Sequence, residues 1–193
     1  MLFTLTPSAP ADEYGEALLS VPALKTWLRV DTSDEDDLIA VLRDIGINAV
    51  EQYANVRLGP CTGLVATFAT FGDRMRPGIG PAATLSVTGV AYVDSAGAAQ
   101  TIDDGAWRVD QAGGLCPAIG TTWPAGASDV AVTFNAGFPD GACPAGLITA
   151  AKMFAAHLYS NREAVMTSTT SVSATELPLG FTMLCDQHRM PVL

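Results

Sequence analysis

The pattern of apolar and polar positions divides the chain into three zones, helical at both ends and extended in the middle. In the first zone Val21–Leu28 has the makings of a short helix, with Ser20 as N-cap and Pro22 tolerated in the first turn. After it, apolar residues recur at Leu38, Ile39, Val41, Leu42, Ile45, Val50 and Tyr53, near the i, i+3, i+4 spacing of a helix with one buried stripe. That helix is expected to run to about Arg57, with Gly59-Pro60 ending it. Its predicted core positions, with neighbours on other helices, are Trp27, Leu38, Val41, Leu42, Ile45, Leu147, Phe154 and Leu158.

In the second zone the period shortens to two. Leu64–Phe71 and Ala83–Val93 suit strands, and Asp94–Gly97 is a turn into a hairpin partner at Gln100–Ile102. Trp107–Asp110, Gly113-Gly114 and Leu115–Ile119 predict a second hairpin, and the alternating Val130–Gly137 is expected to close the sheet. In the third zone Pro144 opens a helix over Ala145–Ala164, with a stripe of Leu147, Ile148, Ala151, Phe154, Ala155, Leu158 and Tyr159. A Ser/Thr-rich stretch over 164–175 predicts a loop or extended arm. A last short helix starts at Leu177–Phe181 and reaches about Arg189, before the apolar tail Pro191-Val192-Leu193. The expectation is an α+β fold: a small bundle of N-terminal and C-terminal helices with an inserted antiparallel β-sheet or barrel region. Its boundaries are an N-terminal helical segment over 1–60, the β insert over 61–137, and helices, loop and tail over 138–193, with the helical parts sharing one core.

Composition and charge narrow the function. With 193 residues, 49% hydrophobic and 16% charged, the chain can build a proper core and is no disordered segment. The ten Lys and Arg are scattered, against twenty Asp and Glu, for a net charge of −10. Gripping nucleic acid through its phosphates needs clustered cations, so specific DNA or RNA binding is not expected. An acidic surface that faces DNA repels it and lets it slide. Cys61, Cys116, Cys143 and Cys185 are isolated, as are His157 and His188, which suits reduced thiols and no metal site. Met1–Leu5 is too short and lacks the basic lead of a signal peptide, and no apolar run reaches the roughly 20 residues of a membrane span. The chain is therefore expected to be made in the cytoplasm.

Candidate chemistry is sparse. The cluster Asp31, Asp34, Glu35, Asp36 and Asp37 lacks the central glycine and distal glutamate of a calcium loop. It suits a helix start, with Ser33 as cap and the acids in the first turn, where free amides and the helix dipole favour negative charge. Gly113-Gly114 is followed by no lysine or helix start, so a hairpin turn is the better reading than a phosphate loop. His157 near Asn161 is a packed or interface side chain. Without a GxSxG, Walker, HExxH or comparable constellation, no catalytic residue, cofactor or metal ligand is assigned, and the chain is not expected to be an enzyme.

Four stretches in this order carry a resemblance. They are Leu24–Asp31 followed by Asp34–Ile39; Ala49–Tyr53; Val90–Gly97 with Trp107–Asp110; and Pro144-Ala145 through His157–Val165, then Glu176–Gly180. Over 21–189 the chain resembles the head–tail connector (adaptor) family of long-tailed phages, prophages and gene transfer agents. It departs from the pattern at Asn55-Val56, where a glycine-containing turn is commoner, and in its tail, since many relatives end in a longer basic or aromatic segment. The resemblance implies a structural virion protein made in the host cytoplasm, one subunit of a ring of about twelve copies. Implied partners are the portal protein and the stopper or tail-completion protein, with DNA passing through the channel without specific binding and no membrane contact. Arg162, Glu163, Thr169, Thr170, Met190 and Leu193 are the candidate oligomer or portal contacts. Two alternatives remain beside it: another neck or tail-completion protein, or a small-molecule binding module using the β region as its pocket.

Overall fold

A computed structural model describes residues 3–6, 13–161 and 179–190, and the chain divides into two compact units. The first unit spans 1–10, 59–140 and 190–193; the second spans 11–58 and 141–189.

The first unit is built on a five-stranded sheet. Its strands are β1 (Phe3–Thr6), β2 (Cys61–Phe68), β3 (Ser86–Val93), β4 (Ala99–Thr101) and, after a separate hairpin of β5 (Trp107–Val109) with β6 (Leu115–Pro117), β7 (Ser128–Ala136). Every pairing is antiparallel and the order is β1-β2-β7-β3-β4. The sheet is open, so the barrel alternative does not hold. β7 lies at its centre, between β2 and β3, and does not close it. The alternation explains this position: Val130, Val132, Phe134 and Ala136 are all buried against Leu64, Ala66, Phe68, Met75 and Leu115. Beside this core Phe71 stacks on Trp123 at 4.6 Å between centroids, and the Trp123 indole N–H donates to the Gly72 carbonyl at 2.9 Å.

The β5–β6 hairpin follows the Gly113-Gly114 reading, with Gly113 at φ 74°. Asp110 closes its turn by accepting from Ala112 N and Gly114 N and pairing with Arg74 at 2.5 Å. The Arg74 guanidinium holds the Asp110 carboxyl down at about 2.

Among the described residues the second unit holds five helices: α1 (Tyr14–Leu18), α2 (Val21–Leu28), α3 (Asp36–Ala54), α4 (Ala145–Ser160) and α5 (Leu179–Asp186). Ser20 caps α2 as expected, its Oγ accepting from Ala23 N at 3.4 Å. α3 departs from expectation at both ends. Its N-cap is Glu35 and no side chain caps it, so Ser33 does not have that role. It stops at Ala54, three residues short of Arg57, because Asn55 takes the left-handed conformation at φ 54°. Asparagine tolerates that region better than most residues, which is how the turn forms without glycine.

The inward stripe of α3 is Ile39, Leu42, Arg43, Gly46, Ile47, Val50, Glu51 and Ala54. Gly46 faces α4 so closely that a Cβ there would stand 2.6 Å from the Ala151 carbonyl oxygen. On α4 the fully buried positions are Leu147, Ala150, Ala151 and Ala155, and the three alanines are small enough to let the helices approach. Phe154 and Leu158, expected in the core, are half-buried; Phe154 packs its ring 5.4 Å from Phe181 of α5. Trp27, Leu38, Val41 and Ile45 were expected inside and are exposed by 48%, 37%, 55% and 42%. No described helix is long and apolar enough to cross a membrane.

Candidate assembly surface

Buried polar groups fix the ends of α3. Glu51 is 6% exposed, and its carboxylate accepts from Tyr14 Oη at 2.5 Å, Leu58 N at 2.9 Å and Arg57 Nη1 at 2.6 Å. Three donors satisfy a charge that would otherwise be costly to bury. They also tie the end of α3 to α1 and to the segment that follows it. Two residues on, Tyr53 turns to α5: it donates to Asp186 at 3.0 Å, meets Phe181 edge-on, and lies under the Arg189 guanidinium. The bond to Asp186 raises the Tyr53 hydroxyl above its ordinary value. The Glu51-x-Tyr53 spacing thus serves one carboxylate clamp and one aromatic contact, both structural.

Two members of the acidic cluster at the start of α3, Glu35 and Asp36, have partners within the unit. Lys25 pairs with Asp36 at 2.5 Å, and Tyr159 Oη donates to Glu35. Beside them an open cleft of about 770 Å³ lies between α2 and α3, lined by Lys25, Arg29, Asp31, Asp36 and Asp37. With both signs of charge in it and Lys25 already paired, the cleft has no focused field for an anion or a cation. Among the described residues no group of three His, Cys, Asp or Glu could hold a metal. All four cysteines are free thiols; burial pushes Cys143 and Cys185 up to about 11, making them poor nucleophiles. In the first unit the groove beside β3 and β4, lined by Val90, Ile102, Asp103 and Asp104, is likewise open.

The remaining notable surface is apolar. On α3, Leu38, Val41 and Ile45 recur at i, i+3 and i+7 and form an outward stripe, separate from the stripe packed on α4. Asp44, Asn48 and Gln52 lie exposed along the same side. On α2, Trp27 is exposed, with Lys152 Nζ 5.8 Å from its ring centroid. Met183 on α5 is 71% exposed. The sequence carried a sign of the outward stripe: Leu38, Ile39, Val41, Leu42 and Ile45 cover more of the helix circumference than one buried stripe needs.

Of the candidate contact positions, Arg162, Glu163, Thr169, Thr170 and Leu193 lie outside the described residues, as does the Ser/Thr-rich stretch. Met190 is half-buried and packs against Gly80, where a Cβ would meet its Cγ at 2.5 Å. His157 lies on α4, its carbonyl accepting from the Asn161 amide at 2.8 Å.

No family model matches the sequence, and no curated protein matches it. Solved structures do. The chain is similar to one in a structure described as the virion of a native gene transfer agent particle, at 25% identity and a TM-score of 0.69, over 100% of this chain and 97% of that one. It matches a chain in the neck of an empty gene transfer agent particle, computed with C6 symmetry, at 25% identity, TM-score 0.66 and the same coverage. A chain in the neck of a native particle, computed with C12 symmetry, shares the fold at 23% identity and TM-score 0.64, again over 100% and 97%.

Proposed function

We propose that the chain is a structural neck protein of a gene transfer agent or related tailed particle. Within the neck it is a subunit of the head–tail connector (adaptor) ring. In this reading about twelve copies join the portal to the stopper or tail and line the channel through which DNA is packaged and ejected. The observation that carries it is the whole-length match to chains of gene transfer agent virion and neck structures, at a TM-score of 0.69 with almost nothing left over on either side. Together with the motif order over 21–189, this favours one shared architecture over a shared fragment.

The physical character of the chain agrees. Net charge of −10 suits a channel wall that repels a polyanion. Burial raises the thiols of Cys143 and Cys185, and both grooves are open, the one between α2 and α3 carrying charges of both signs and the one beside β3 and β4 only acids. A stopper or other β-dominated neck component fits less well, since the described residues of the second unit form five helices. Arg162, Glu163, Thr169, Thr170, Met190 and Leu193 are the proposed contacts to neighbouring copies or to the portal. The test is localisation: antibody labelling or cryo-electron microscopy of particles carrying a tagged copy of this chain. Density in a ring between head and tail is expected. A tag found only in the capsid shell or the tail tube, or missing from particles, refutes the reading.

A further inference from the structure

Resting on the neck reading, we infer that the outward stripe of α3, Leu38, Val41 and Ile45, is the face by which one copy of this chain docks on the next around the ring. Three observations carry it. The stripe is not needed inside the subunit, because the opposite face of α3 is already buried on α4 and α5 through residues from Ile39 to Ala54. Leaving large aliphatic side chains 37–55% exposed at helical spacing is unfavourable unless a partner covers them.

The second observation is charge. Each copy carries −10, so two copies that met through charged faces would repel. An apolar strip bordered by Asp44, Asn48 and Gln52 lets acidic copies meet where the repulsion is least. It has the layout of an interface, with an apolar centre and a polar rim. The third is symmetry: the similar neck structures are computed with sixfold and twelvefold symmetry. A closed ring above two copies requires each subunit to present two different faces, one to each neighbour. The stripe is one of the two, and it meets a surface on the next copy other than itself.

The test places a photo-crosslinking residue at Val41 in the full chain, purified and concentrated in about 0.5 M salt to shorten the range of charge repulsion. Irradiation is expected to give a ladder at multiples of the chain mass, with position 41 joined to a peptide outside 37–52 of the neighbour. Adding Ile45→Glu should abolish the ladder while leaving the circular dichroism spectrum unchanged, because Ile45 is exposed. A single dimer joined through 37–52 on both chains would mean a two-fold contact and overturn the inference. So would a multimer by light scattering that gives no product from position 41, or a chain that stays monomeric. None of these touches the neck reading, which stands or falls by localisation in the particle.

Discussion

Gly46 offers a test in which helix propensity and packing predict opposite signs. It lies inside α3, where glycine ordinarily costs about 1 kcal/mol relative to alanine, so Gly46→Ala should stabilise on propensity alone. The structure reverses this. The added Cβ would stand 2.6 Å from the Ala151 carbonyl oxygen, about 0.7 Å inside the ~3.3 Å at which carbon–oxygen contacts settle. The obstacle is backbone of α4 and cannot swing away as a side chain would. The helices must separate, which costs about 1–3 kcal/mol by overpacking and loosens Leu147 and Ala155 as well. The net expectation is a loss of about 0–2 kcal/mol. Gly146 supplies the control: its Cβ would meet only Leu184 Cδ2, at an ordinary 3.6 Å, so Gly146→Ala should gain up to about 1 kcal/mol. Urea unfolding followed by far-ultraviolet circular dichroism measures both. If Gly46→Ala raised the midpoint as much as Gly146→Ala, the close α3–α4 contact would be wrong.

Neighbouring positions on α3 separate its two stripes: Ile39→Ala should cost about 2–5 kcal/mol in the same assay and Val41→Ala less than about 0.5, and similar losses would contradict the assigned faces. Glu51→Gln leaves Arg57 facing a neutral amide; breaking a buried pair costs about 3–5 kcal/mol, and the lower end is expected here because Arg57 keeps 18% exposure. A stability loss below about 1 kcal/mol would show the clamp to be dispensable. Asp110 is held at about 2 in the folded chain, below the ordinary 3.8, so its stabilising effect is complete above about pH 4 and fades as pH falls toward 2. Acid titration of wild type against Asp110→Asn should show a shallower decline in the variant over that window, and identical curves would remove Arg74–Asp110 as a cause. Cys143 and Cys185, raised to about 11, should resist iodoacetamide at pH 8 in the folded chain and react once it is unfolded; mass spectrometry of labelled peptides reads the difference.

What the sequence determined by itself was the kind and order of the elements. Alternation over Val130–Ala136 and the 3.6-residue period over 36–54 are local properties, set by which side chains the backbone geometry places together. Ser20, Pro22 and Gly113 likewise act on their immediate neighbours, so α2 and the β5–β6 turn were legible. Acidity, and the exclusion of a phosphate-gripping surface, needed only counting. Which partner each face meets was decided by tertiary structure. β7 carries a strand pattern whether it is central or at an edge; only pairing with both β2 and β3 settles the choice. α3 has apolar residues on two sides, and the sequence cannot say which side α4 covers. The decision falls to Gly46 and the small residues of α4, because close approach is possible only where no Cβ stands in the way. That choice leaves Leu38, Val41 and Ile45 facing outward. The same chain thus encodes its inner core and its outer stripe in one periodic run, which only the packed fold divides in two.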